Sequence, residues 1–523
     1  MKTKFTLAMM LIVAVIAQAQ TPAMVKDINN GSGNSNATGL IDVNGTLFLR
    51  ASDGTNGNEL WKSNGTDAGT VEVKNIDPTS NGSASGQYTN VNGTLFFHAN
   101  DGTHGKELWK SDGTDAGTVL VKDITLGSGD TDLEFLVNVN GICVFQINGE
   151  ELWRSDGTDA GTYMLMAPSI NTATNFNVRT DYCVMNGVMY FQGEDLTNGD
   201  ELWKTDGTTA GTVLVKDITS GSNGSGPEYF KEVNGTMFFS AKDASGYGIW
   251  KSDGTNSGTV LVANLPEPFG FNGGASQLTN VNGTLFYTAS DQFGNGFELW
   301  KSDGTSAGTV MVKDINPGTA NANPGKLINV NGTLFFTADD GLNGSELWKS
   351  DGTSAGTVMV KNLDALYSDF TNANGTLYFV ALVSSSGSEL WKSDGTDAGT
   401  TIVADIMPGV QSSLPASLTV VGTNLFFVAN DGTHGKELWS ISGLPSAIEE
   451  KKSELSFSVY PNPVNQNLQL TVDGLKLNAE MQFQIFDLTG KLIRDEKFNS
   501  NRVDVSELAN GFYILSVNTN GKI

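Results

Sequence analysis

Apolar and polar residues alternate along this chain in short runs separated by Gly, Asn and Asp, which is the period of half-buried β-strands. The unit ending near residue 315 shows the pattern. The segment 278–281, with Leu278 and Val281 at its ends, meets Asn282-Gly283, a pair that tolerates the positive backbone angles of a two-residue hairpin turn. Leu285, Phe286 and Tyr287 follow as a second strand, and Glu298-Leu299-Trp300-Lys301 forms a third after a turn at Asp291. Asp303-Gly304-Thr305 then reverses the chain into Val310-Met311-Val312. Four antiparallel strands in this order make one propeller blade.

The unit recurs through most of the chain. All nine tryptophans, Trp61, Trp109, Trp153, Trp203, Trp250, Trp300, Trp348, Trp391 and Trp439, occupy its third strand at spacings of 43 to 50 residues, a period suited to a blade. Trp439 is followed by Ser440-Ile441-Ser442-Gly443 in place of a fourth strand, whereas Met24-Val25-Lys26-Asp27-Ile28 repeats Met311-Val312-Lys313-Asp314-Ile315 letter for letter. The N-terminal segment is therefore expected to complete the last blade, covering an exposed edge and closing the ring. The expected fold is all-β: a closed β-propeller of nine four-stranded repeats over residues 20–443, and a C-terminal β-sandwich domain. Nine blades exceed the usual range of about 4 to 8, so two smaller rings or one degenerate blade stay open as alternatives.

The repeated segment, ELWKSDGT with its variants, resembles the ELWxxDGT repeat family. Eight of the nine copies keep ELW, and the fifth has Gly248-Ile249-Trp250. The resemblance spans residues 22–443 and implies a secreted or surface-exposed repeat protein; it does not imply an enzyme.

Composition narrows the partners. A formal charge of -26 repels phosphates and anionic lipids, which excludes broad electrostatic binding to nucleic acid or a membrane surface. Gly is 62 of 523 residues, as many tight turns require. Lys2 and Lys4, the apolar run at 5–16 and Ala17-Gln18-Ala19 compose a signal peptide over residues 1–19, and no later run reaches the roughly 20 apolar residues of a membrane-spanning helix. After export, Cys143 and Cys183 are either a disulfide or two buried thiols.

Repeated side chains need a structural reading beside any functional one. Tryptophans in one register could stack on sugars, but they first suit the space between neighbouring sheets. Asp112 and Asp115, Asp156 and Asp159, and Asp394 and Asp397 repeat an acid pair that could ligate calcium. Asp206, Asp253, Asp303 and Asp351 lack an acid at the later position and Asn64 replaces the first, which favours turn chemistry. Calcium stays as an alternative; no other cofactor is expected. His104 and His434 lie in identical turns, and His98 follows a hairpin without a metalloprotease or nucleophile motif around it. No catalytic residue is assigned, although acids from different blades could converge without a motif.

A linker at residues 444–454 precedes a second domain at 455–523. Its Tyr460-Pro461-Asn462-Pro463, Asp487-Leu488-Thr489-Gly490-Lys491 and Asn510-Gly511-Phe512-Tyr513-Ile514-Leu515 segments resemble the type A sorting domain of type IX secretion substrates. That resemblance implies passage through the periplasm, engagement of an outer-membrane translocon, and a secreted or cell-surface protein. Such domains continue into a final basic strand where this sequence stops at Ile523, and that strand is expected to be missing. The function expected is a binding or adhesion module for a polysaccharide or surface protein; the alternative is an extracellular carbohydrate-active enzyme with a site on one propeller face.

Overall fold

The computed structural model describes residues 21–78, 82–149, 151–166, 181–265, 275–290, 294, 296–366 and 370–445, and in the C-terminal part 457–460, 467–472, 482–487, 492–497, 502–508 and 513–518. Its contacts fall into two units, one within residues 19–446 and one within 447–523. Among the described residues every regular element is a strand. The expected signal peptide and most of the expected linker lie outside them.

The larger unit is a propeller ring of nine blades. Blade one comprises Thr38–Val43, Thr46–Ala51, Glu59–Ser63 and Val71–Lys74, hydrogen-bonded in that order. Blade six, Ser276–Val281, Thr284–Ser290, Phe297–Ser302 and Val310–Lys313, has each of the strands read from its apolar runs. In blade eight the first position is split between Ala365–Leu366 and Thr371–Ala373, both paired with Thr376–Val383. Blade nine takes its fourth strand from the other end of the chain: Ala23–Lys26 pairs antiparallel with Lys436–Ile441, Met24 opposite Trp439. Each sheet is open and none curls into a barrel. First strands lie against first strands around the inner edge, with Thr38–Val43 touching both Ala84–Val91 and Ala416–Val421.

The hairpin between first and second strands is fixed by backbone angle. Asn282 and Gly283 have φ of 50° and 83°, the left-handed pair that a hairpin of matching twist requires. A Cβ on Gly283 would also stand 2.3 Å from Asn234 of the preceding blade. Hairpin chemistry therefore also sets how closely the blades approach.

Apolar packing runs between blades, because each sheet has two buried faces. Val233, Phe238 and Ile249 of blade five meet Leu285, Tyr287 and Ala289 of blade six, with Trp300 against them. The same kind of cluster joins blade nine to blade one through Val25, Ile28, Leu47, Trp61, Phe426 and Leu438. Burying each such side chain contributes roughly 1.5–3 kcal/mol. Every tryptophan belongs to or packs against one of these clusters.

The C-terminal unit has two three-stranded antiparallel sheets: Phe457–Tyr460, Asn467–Val472 and Arg502–Asp504 in one, Leu492–Lys497, Gln482–Asp487 and Tyr513–Asn518 in the other. Phe483 and Ile485 are buried on either side of half-exposed Gln484, the alternation read from the sequence.

Candidate functional site

The turn after the third strand of blades one to eight is a closed hydrogen-bond circuit. In blade two, Ser111 Oγ lies 2.7 Å from Thr118 Oγ1 and accepts from Gly113 N at 3.0 Å. Asp112 Oδ1 accepts from Thr114 Oγ1 at 2.7 Å and Thr114 N at 2.8 Å. These bonds, the hydroxyl's foremost, hold the Asp112 carboxyl below its ordinary range. Gly117 N donates to Thr114 Oγ1 at 2.9 Å, and a Cβ there would stand 2.0 Å from Asp112 Oδ1.

The acids considered for calcium are thus committed to other contacts. Asp156, Asp206, Asp253, Asp303, Asp351 and Asp394 cap their own turns as Asp112 does. Asn64 does the same without a charge, accepting from Thr66 N at 3.0 Å. The later acids point across the blade boundary: Asp159 pairs with Lys122 at 2.9 Å, and Asp115 and Asp397 with Lys74 and Lys361 at 3.0 Å. Among the described residues no group of three or more His, Cys, Asp or Glu is arranged to hold a metal ion.

A role that sequence reasoning missed belongs to the Glu of the repeat. Glu59, Glu107, Glu201, Glu298, Glu346, Glu389 and Glu437 are at most 1% exposed. Glu107 accepts from Ile124 N at 3.0 Å, Thr125 N at 3.1 Å and Thr131 Oγ1 at 2.6 Å, all on the connection into the next blade. A buried acceptor thereby satisfies backbone donors that the end of the fourth strand leaves unpaired. Burial pushes the Glu59, Glu298 and Glu437 carboxyls up to about 7. In blade three Glu151 instead accepts from Trp153 Nε1 at 2.8 Å. The signal was available in the Glu two positions before eight of the nine tryptophans, a charge on an inward register.

Each histidine turn is closed by its own side chains. His104 and His434 bond Asp101 and Asp431 of their own turns at 2.8 and 2.7 Å. Cys143 and Cys183 are both free and buried, in separate apolar clusters, and burial pushes the Cys183 thiol up to about 11.

One buried or half-buried register of the second strand varies in chemistry from blade to blade. Opposite the apolar residue that precedes each Trp stand Arg50, His98, Gln146, Gln192, Ser240, Thr288, Thr337, Val380 and Val428 in chain order. The series runs from cationic through amide and hydroxyl to aliphatic on a nearly constant backbone. Burial depresses the His98 imidazole to about 4, leaving it neutral. Two clefts open at this register. One of about 340 Å³ is lined by Gln192, Ser240, Asp200, Glu228 and Tyr229 among others; another, of about 350 Å³, lies between blades nine and one beside Arg50, Ser417 and Val428.

Residues 458–523 match the family of secretion system C-terminal sorting domains. This segment is a type IX sorting domain. The protein is accordingly exported and either secreted or held on the outer surface. No curated protein is similar to the chain. Among solved structures, the computationally designed Ika8 protein is similar at 13% identity and a TM-score of 0.39, over 69% of this chain and 96% of that one. A puromycin hydrolase matches at 12% identity and a TM-score of 0.35 over 66% of this chain and 58% of its own. PorZ, a surface component of the type IX secretion system of Porphyromonas gingivalis, matches at 12% identity and a TM-score of 0.27, over 92% of this chain and 79% of that one. These likenesses carry no argument about function.

Proposed function

We propose that the sorting domain delivers a non-catalytic binding ring of the ELWxxDGT repeat type to the cell surface, where it adheres to a polysaccharide or surface protein. The observation that carries this reading is the second-strand register from Arg50 to Val428, where side chains differ in chemistry while the backbone around them repeats. Function is expected where a fixed scaffold carries varied groups beside a cleft. The ring in this reading is closed. Support comes from the core shared by blades nine and one and from Thr419 Oγ1, which donates to Leu40 O at 3.4 Å across that boundary. The C-terminal sheets are read as a β-sandwich that engages the outer-membrane translocon through residues 455–523.

A second reading, an extracellular carbohydrate-active enzyme, draws on the two carboxylates Asp200 and Glu228 lining one cleft. The test is binding of the purified full chain to an array of extracellular glycans, with and without calcium, each hit being assayed for cleavage. Retention without products is the expected result. Product formation would replace the binding reading with the enzymatic one, and dependence on calcium would return the turn acids to consideration as ligands.

A further inference from the structure

Of the two clefts, the one spanning blades four, five and six brings three features into one space. Gln192 forms part of its lining; the side chain is 5% exposed and its Oε1 has no hydrogen-bond partner. A buried amide oxygen without a donor costs about 1–3 kcal/mol, so the site is built to receive one. Tyr229 adopts φ of 60° and is 39% exposed. Its equivalents in other first strands include Gly39, Gln87, Gln277 and Ser417, also left-handed. The repeat sets this angle at its first-strand bulge, and an aromatic placed on it carries roughly 1–3 kcal/mol of strain. The strained backbone is held by Tyr229 N, which donates to Asp181 Oδ2 at 3.0 Å. Finally, the Tyr247 ring lines the same space, with Lys242 Nζ 5.1 Å from its centroid.

We infer that this cleft binds one neutral hexopyranose unit of a glycan. A ligand here must supply an O–H donor to Gln192 Oε1 and an apolar face to the Tyr229 or Tyr247 ring. It must also offer hydroxyls to acceptors and donors together, since Asp200, Glu228, Ser240 and Lys242 line one space. A pyranose presents C–H groups on one face and hydroxyls around its rim, which meets all three demands. The cleft, at about 340 Å³, falls at the lower end of the range for small-ligand sites. This inference rests on the binding reading above and names its ligand class and place.

The probes are methyl glucopyranoside, galactopyranoside and mannopyranoside, titrated into the purified full chain by calorimetry. At least one is expected to bind. Gln192→Met keeps length and removes the amide, and Tyr229→Gly removes the ring while relieving the left-handed strain. Each variant is expected to weaken the sugar at least tenfold, with the melting temperature of Tyr229→Gly equal to or above that of the parent. Equal affinity in both well-folded variants overturns the assignment, as does a parent that binds none of the probes while retaining a glycan on the array. An array without hits removes the binding reading itself. If the unpaired oxygen serves only to hold an ordered water, Gln192→Met leaves sugar affinity untouched and the proposal falls.

Discussion

Glu437 Oε2 accepts a hydrogen bond from Ile28 N at 2.9 Å, joining residues 409 positions apart. Glu437 Oε1 takes Ser35 N at 3.0 Å. The equivalent bonds in blade two link Glu107 only to the connection that follows it. At the junction of the termini the same local device becomes a long-range tie. Glu437→Ala strands at least one buried backbone donor, so unfolding is expected to become easier by about 2 kcal/mol. A chemical denaturation midpoint that does not move would show that the tie contributes nothing.

The carboxyls divide into two groups with opposite pH behaviour. Glu59, Glu298 and Glu437 rise from 4.5 to about 7 in the folded chain. Their contribution is complete below the unfolded value and is lost as pH climbs through about 7, because the unfolded chain releases the proton first. Asp112, Asp303 and Asp351 are lowered from 3.8 by their Thr hydroxyls, so their contribution is lost as pH falls below that value. The melting temperature should therefore decline from about pH 5 to about pH 8. Glu298→Gln should flatten that decline. A curve that rises over this interval would contradict the assignment.

Three glycines should rank by what surrounds them. A Cβ on Gly387 would lie 1.9 Å from Gln411 O, a backbone atom with no rotamer to escape into. On Gly117 it would meet the Asp112 carboxylate at 2.0 Å, which can yield by giving up its turn bonds. Gly235 has nothing within 4 Å and only its φ of 78° to oppose a side chain, a cost of about 1 kcal/mol. Alanine substitutions should destabilise in the order Gly387, Gly117, Gly235. Finding Gly235→Ala the most damaging would reverse the argument.

How far the fold could be read from the sequence follows from which signals are local. Asn282-Gly283 and the runs around Trp300 fix a blade within some forty residues, and the letter-for-letter match of residues 24–28 to 311–315 placed the first strand beside Trp439. Turn acids such as Asp112 were readable for the same reason, since their partners lie two residues away. Glu107 escaped because its donors are 17, 18 and 24 residues on and are mostly backbone, which has no letter. The cleft escaped too: Gln192 comes from blade four, Glu228 and Tyr247 from blade five and Phe297 from blade six, and only their packing makes them neighbours.

Two free thiols are expected rather than a disulfide. Cys143 is fully buried in the cluster with Phe96 and Phe145, while Cys183 packs with Tyr190 and Phe239. Thiol titration without reductant should therefore detect both groups in denaturant and react slowly with the native protein. Absence of thiol in the denatured sample would demand a bond that this packing does not contain.

The tryptophans provide the sharpest separation between packing and recognition. Trp348 is 5% exposed among Ile315, Leu334, Phe336 and Ala338, and its Nε1 has no hydrogen-bond partner. Seven other indoles share that unpaired donor, namely those of Trp61, Trp109, Trp203, Trp250, Trp300, Trp391 and Trp439. An interior that leaves the N–H unused selects the residue for its volume. Trp348→Phe removes the unpaired donor together with part of the ring, so its two effects oppose and the loss should stay below about 1.5 kcal/mol. Trp348→Ala empties the site and should cost about 3–5 kcal/mol. Trp300→Ala, too, should lower melting before it affects any glycan retention. Normal melting with lost retention would instead make that indole a contact surface, and equal damage from Phe and Ala at position 348 would mean that the N–H serves a partner.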